Sequence, residues 1–260
     1  MIPKIIHYCW FGGKPLPRLA KKCIRSWKKY CPDWQIQRWD ESNYDLAAAP
    51  VYVRQAYEAK KWAFVTDYVR LQVVYEYGGI YLDTDVELVR SPMELLTHHA
   101  FFGFEGGPYV ATGLGFGAEK GAPILAEMMD DYIDIPFVKE DGSFDVTACP
   151  VRNTQVLVRH GMKADHTEQI LDGGIRILPR SWLCPFDDWK DELAIKPETV
   201  SIHWYSASWE TKEYKKAKNA AVRAKRRTDR KEHWRYLPNR VARKLLGDRL
   251  IDQLKGKMGK

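Results

Sequence analysis

Short apolar runs alternate with stretches of helical period along most of this chain, and that alternation predicts an α/β fold built around one largely parallel sheet. Residues 2–10 are rich in β-branched and aromatic side chains and are broken by Gly12, Gly13, Pro15 and Pro17, which marks an opening strand and a Gly-rich turn. Residues 17–30 put Leu19, Cys23 and Trp27 on one side of a helix, with Lys21, Lys22, Arg25, Lys28 and Lys29 on a solvated outer face. Residues 35–39 read as a second strand, followed by Asp40-Glu41-Ser42-Asn43, and residues 52–60 as another helix. Phe64, Tyr68, Leu71 and Tyr75 then recur at helical spacing. Gly78-Gly79 supplies the left-handed position that closes such a helix, and Ile80-Tyr81-Leu82 is a short buried strand.

Beyond that point the pattern predicts strands at 86–89, 100–105 and 175–178, and helices at 92–96, 123–132 and 152–160. The glycine-studded residues 112–117 suit a strand passing close beneath a ligand. Residues 135–150 read as a loop near an acceptor, and residues 182–189 as an aromatic loop whose Trp182, Phe186 and Trp189 read as core, with a sugar-stacking platform the alternative.

The chain of 260 residues is long enough for one substantial core with a small appendage. No run approaches the roughly eighteen apolar residues of a membrane span, and the N-terminus lacks a signal-peptide layout. The five cysteines, at 9, 23, 31, 149 and 184, show no C-x-x-C spacing, so neither a disulfide framework nor a zinc site is indicated. A reducing cytoplasm is the compartment this implies, with Cys9 and Cys23 as small core hydrophobes.

Charge divides the chain. Residues 211–260 hold 18 Lys+Arg against 5 Asp+Glu, leaving 23 against 29 in residues 1–210. The expected organisation is therefore an acidic globular body over 1–210 and a basic, mostly helical extension over 211–260. Ala242, Leu246, Leu250, Leu254 and Met258 form a narrow apolar stripe on that extension, the pattern of a helix lying on an anionic membrane surface. Packing back on the acidic body, or on a partner helix, would use the same stripe.

The chemistry concentrates around residues 61–87. Asp83 and Asp85 are two apart, so in an extended chain both carboxylates face one spot. Two like charges held together call for a cation, and hard oxygen ligands suit Mg²⁺ or Mn²⁺. Asp67 and Arg70 lie one turn apart on the preceding helix, on the polar face that an amphipathic helix turns to water. A metal-dependent phosphoesterase would also cluster aspartates, but a two-metal site needs more ligands than stand near Asp83. The basic end raises nucleic-acid binding, yet no such module's signature is present.

The motif T-D-x-x-R followed by G-G-x-Y-x-D-x-D resembles glycosyltransferase family 32, the DXD-containing sugar transferases that include Golgi mannosyltransferases and toxin glucosyltransferase domains. The opening I-P-K-I-I-H-x-x-W-x-G, the element W-D-x-x-N and the closing H-x-x-x-x-S-W resemble the same family, densest over 2–13, 63–88 and 201–209. The resemblance implies a GT-A type fold and a retaining hexosyl transfer from a nucleotide sugar, UDP-linked or GDP-linked, with Mn²⁺ or Mg²⁺. The acceptor it implies is a glycan or lipid-linked sugar in surface polysaccharide synthesis, at the inner face of the membrane. In that scheme Asp85 ligates the metal and Asp83 contacts metal or ribose. Asp67 accepts from sugar hydroxyls and Arg70 clamps donor oxygens. Trp10 stacks on the base, Asn43 touches uridine or ribose, His203 completes the metal site, and Ser208 and Trp209 hold the metal or the β-phosphate. His7, inside a strand, reads as hydrogen-bonded core.

Overall fold

The structure, a computed structural model, describes residues 1–187, 192–206 and 220. Ser208, Trp209, Trp189 and the basic extension apart from Ala220 lie outside the described residues. The chain runs β1 (Ile5–Cys9), α1 (Arg18–Tyr30), β2 (Gln35–Trp39), α2 (Val51–Glu58), α3 (Trp62–Tyr77), β3 (Gly79–Tyr81), β4 (Val86–Leu88) and β5 (Ala100–Gly103). It continues through β6 (Phe116–Ala118), α4 (Pro123–Asp130), α5 (Cys149–Arg159), β7 (Gln169–Leu171), β8 (Ile175–Leu178) and α6 (Arg180–Leu183). The short strands β9 (Phe186–Asp187), β10 (Glu192–Leu193) and β11 (Ser201–His203) end it.

Seven strands form one sheet in the order β2-β1-β3-β6-β5-β8-β7. β1, β2, β3, β5 and β8 run one way; β6 and β7 run against them. The chain therefore goes from β1 outward to β2, then crosses back through α2 and α3 to lay β3 on the other side of β1. That reversal lies at the C-terminal ends of β1 and β3, where open α/β sheets have the crevice that holds ligands.

Successive strand residues point to opposite faces, and the core divides accordingly. Ile6, Ile80, Leu82 and Phe101 pack on the face that α1 covers with Cys23 and Trp27. Cys9, Tyr81, Phe102 and Phe116 pack on the other, beneath α2, α3 and α4. All five cysteines are free and buried, as small hydrophobes would be.

Four local expectations are corrected. α3 is not amphipathic: Val65, Tyr68, Val69, Leu71, Val73 and Val74 are buried, and so are Asp67 and Arg70. The helix sits between the sheet and two other helices, so it has almost no water-facing side. Gly78 does close it, but with φ 69° and ψ 177° the chain swings straight into β3 rather than through a left-handed cap. Residues 112–117 are a 3₁₀ turn at Thr112–Leu114 and then β6, not one strand. Within 135–150, Val138 and Phe144 pair as an antiparallel bridge, Phe137 is fully buried against Tyr52, and α5 begins at Cys149. Among the described residues no helix is long and apolar enough to cross a membrane.

Candidate active site

β3 delivers Tyr81 to the α3 face of the sheet, and Asp83, two residues on, follows it to the same side. There the Tyr81 hydroxyl donates to Asp83 Oδ1 at 2.9 Å. The chain then turns. Val86 N–H donates to the Asp83 carbonyl at 3.0 Å, closing a tight turn through Thr84 and Asp85. The two carboxylates thus converge because of a turn, not because of strand alternation.

β4 then pairs antiparallel with β11, setting His203 opposite Val86. Nε2 of His203 lies 3.3 Å from Asp85 Oδ1. Ligand atoms of Asp83, Asp85 and His203 all fall within 4.8 Å of one another. The chain after β11 wraps Asp85: Trp204 N–H donates to its carbonyl at 3.0 Å and Ser206 N–H to its Oδ2 at 2.8 Å. Tyr205 between them has φ 47°, the left-handed region, which lets amides two residues apart reach one aspartate.

Arg70 joins this cluster to Asp67. Its Nη2 is 3.1 Å from Asp67 Oδ1 and its Nη1 is 3.6 Å from Asp83 Oδ2. Nε and Nη2 also donate to the Thr66 carbonyl and hydroxyl at 2.8 and 3.0 Å, while the guanidinium lies over the Tyr81 ring. At 4% exposure it is a buried cation matched by buried Asp67 and half-buried Asp83.

The acids respond differently to their surroundings. Burial pushes the Asp67 and Asp83 carboxyls up, against the opposing pull of Arg70. Asp85 is buried too, yet His203 and the Ser206 amide hold it well below the usual carboxylate range. Burial would lower His203, but Asp85 and then Asp83 raise it above the ordinary histidine value. Two oxygen donors and one imidazole fit Mn²⁺ or Mg²⁺, and the environment keeps Asp85 ionised, as a metal ligand must be. The buried Nδ1 of His203 has no hydrogen-bond partner among the described residues.

The glycine-studded residues 112–117, expected to pass close beneath a ligand, supply the opposite wall, although that pattern does not single out Gly113 itself. A Cβ on Gly113 would stand 2.7 Å from Asp83 Oδ2 and 3.1 Å from Arg70 Nη1, so any side chain there would push the pair aside. Beside it, Asn153 of α5 donates to Thr112 Oγ1 at 3.0 Å, and the Thr112 hydroxyl in turn donates to Cys149 Sγ, at the start of α5, at 3.8 Å. Tyr81 could have been found, since it stands in the motif two residues before Asp83. The backbone amide of Ser206 and the bare Cα of Gly113 carry no side-chain signature.

Trp10 follows β1, and the parallel register His7↔Tyr81 sets it at the same sheet edge as Asp83. Its indole N–H donates to the Lys14 carbonyl at 2.5 Å, and the ring is half-buried. Asn43 closes the loop after β2: its Oδ1 accepts from Asp40 N–H at 2.9 Å and its Nδ2 donates to the Arg38 carbonyl at 2.7 Å. Both ends of that amide are engaged in the turn. Ser208 and Trp209 lie outside the described residues, so their relation to the cluster is not described. His7 is core: the Trp39 indole donates to its Nδ1 at 3.1 Å, which leaves Nε2–H to donate to the Gly78 carbonyl at 2.8 Å.

Known proteins with similar sequences bear on this site. Residues 17–102 match the model of a family described as the glycosyltransferase sugar-binding region containing a DXD motif. Inositol phosphoceramide mannosyltransferase 3 of Schizosaccharomyces pombe is 31% identical over 132 residues, covering 49% of this chain and 36% of that protein. Inositol phosphoceramide mannosyltransferase 1 of the same yeast is 29% identical over 112 residues, covering 39% and 33%. The chain thus matches about a third of the length of these relatives. Among solved structures, PaToxG glycosyltransferase aligns with a TM-score of 0.47 at 22% identity, over 61% of this chain and 69% of its own. A glycosyltransferase involved in glycosylation of the major capsid of PBCV-1 gives 0.41 at 12% identity, over 78% and 95%. The fold of this chain is α/β, with a mostly parallel central sheet. The residues that match the DXD-containing glycosyltransferase sugar-binding region hold both the Asp67–Arg70 and the Asp83–Asp85 pairs, so the similarity falls on the part of the chain that builds the acidic cluster.

Proposed function

We propose that this chain transfers a hexosyl group, with retention, from a nucleotide diphosphosugar to a glycan or lipid-linked acceptor. The observation that carries this is the convergence of Asp83, Asp85 and His203, from segments over a hundred residues apart in sequence, beside the buried Asp67–Arg70 pair. In this reading Asp83, Asp85 and His203 hold Mn²⁺ or Mg²⁺, which supplies positive charge against the departing diphosphate. Trp10 offers a ring to the base at the mouth of the crevice. Asp67 accepts hydrogen bonds from sugar hydroxyls. Nη1 of Arg70, the end not bonded to Thr66 or Asp67, reaches toward donor oxygens.

The anomeric C–O bond to the diphosphate breaks, a C–O bond to the acceptor hydroxyl forms on the same face, and the hydroxyl proton passes to the leaving diphosphate. No protein nucleophile enters this scheme, since Asp67, Asp83 and Asp85 already have roles. The donor base is uridine, with guanosine the alternative. The names of the yeast relatives bring mannosyl transfer to a phosphorylated lipid into the first set of reactions to test. A body over 1–210 with a basic extension over 211–260, attached peripherally at the cytoplasmic face of a membrane, completes the proposal.

A donor panel tests it. UDP- and GDP-sugars are incubated with the full chain and Mn²⁺, and release of free sugar is followed. One donor hydrolysed in preference to the rest supports the transferase. Hydrolysis of simple phosphodiesters without any sugar donor would point to a phosphoesterase instead.

A further inference from the structure

Helix α1 presents a surface that sugar transfer does not use. Residues 14–30 hold seven of the 23 Lys+Arg of residues 1–210 and no acid, although that body as a whole is acidic. Lys14, Arg18, Lys21, Lys22, Arg25, Lys28 and Lys29 are all exposed. At about 100° per residue, the six on the helix fall within an arc of roughly 120° opposite the buried Ala20, Cys23 and Trp27. Among the described residues only Lys22 of the seven is ion-paired, with Glu87 at 2.7 Å. Half-buried Leu19 and Tyr30 border the arc on one side and Ile24 on the other.

This surface is fixed relative to the site. The Trp27 indole donates to the Val86 carbonyl at 2.8 Å, and Leu88 N–H donates to Ser26 Oγ at 2.9 Å. Glu87 receives both Lys22 and, at 2.8 Å, the Trp204 indole next to His203. α1 is thus bonded to β4, the strand that directly follows Asp85.

We propose that the cationic face of α1 docks the protein on an anionic lipid bilayer, holding the crevice at a set orientation to the membrane. Unopposed charge on an acidic body supplies the attraction, and each basic residue close to such a surface adds to it. The apolar borders of the arc favour lipid over a soluble polyanion, because half-buried leucine, isoleucine and tyrosine at the rim can enter the headgroup boundary. The inference is separable from the sugar-transfer reading, because binding is measured without donor or metal.

The test is co-sedimentation of the full chain, at low salt, with vesicles of phosphatidylcholine mixed with phosphatidylglycerol. Wild type should bind, and added salt should release it. A variant carrying Arg18→Gln, Lys21→Gln, Arg25→Gln and Lys28→Gln should partition at least about tenfold more weakly. All four side chains are exposed and, among the described residues, make no ion pair, so its urea midpoint should stay at the wild-type value. A charge-keeping variant, Arg18→Lys with Arg25→Lys, should bind like wild type, which separates lost charge from a disturbed helix. Equal binding by the Gln variant would overturn the proposal and assign any attachment to residues 211–260. Wild type that ignores the vesicles, or that binds dextran sulfate and not lipid, would overturn it as well.

Discussion

Arg70 stands at the join between the two acidic pairs, and replacing it has two effects that the choice of substituent separates. Arg70→Ala leaves Asp67 and Asp83 facing each other in a buried site, which costs about 3–5 kcal/mol of stability and confounds any loss of activity. Arg70→Lys keeps the charge but loses the fork that serves Thr66, Asp67 and Asp83 together. The Lys variant should fold, with a modest fall in urea midpoint, while sugar release drops more than about tenfold. A Lys variant with the wild-type rate would reduce Arg70 to an internal ion pair. Gly113→Ala probes the same spot from the other wall. Its φ is not in the left-handed region, so the effect is steric: the new methyl displaces the Asp83 carboxylate. We expect about 1–3 kcal/mol of destabilisation together with loss of sugar release, read by denaturation and by the donor assay. At this scale the sequence was most legible where function uses side chains in a tight motif. Asp67, Arg70, Asp83 and Asp85 stood out at once, and His203 through resemblance. The glycine pattern of 112–117 pointed to a close approach without picking out Gly113, and the Ser206 amide, acting through backbone, is announced by no residue pattern.

At the scale of elements, type and order were legible but local geometry was not. The pairing of Asp83 with Asp85 was read as an extended strand, yet the chain turns there and the carboxylates meet all the same. α3 was read as amphipathic because Asp67 and Arg70 look like a polar face. Burial of both is a tertiary effect, possible only because each is the other's partner. His7 belongs to this scale, since it ties β2 to the end of α3 through Trp39 and the Gly78 carbonyl. Burial holds its imidazole below the ordinary value of 6.5. As pH falls through 6.5 the unfolded chain takes up a proton that folded His7 refuses, so stability declines toward acid, by at most about 1.4 kcal/mol per pH unit. His7→Gln should be less stable near pH 7, having lost a buried hydrogen bond, and should show a shallower decline of the urea midpoint between pH 7 and 5. An unchanged slope would mean that His7 protonates freely in the folded protein.

The whole molecule shows how charge and topology act together. The reversal of strand order at β1 opens the crevice, and helices on both faces close the sheet around it. The α/β class followed from alternating strand and helix patterns. The antiparallel placement of β6 and the short β4–β11 ribbon did not, because both are set by long-range pairing that local periodicity does not encode. Yet it is that ribbon which brings His203 to Asp85 and makes a three-ligand cluster out of a two-residue motif. The central claim is that this cluster holds a divalent ion needed for sugar transfer. The most direct measurement is sugar release from the preferred donor by wild type and Asp85→Asn, in excess EDTA and again after Mn²⁺ is restored. The account predicts that EDTA abolishes wild-type activity, that Mn²⁺ returns it, and that Asp85→Asn stays folded and nearly inactive in both conditions. Full wild-type activity in excess EDTA would contradict it.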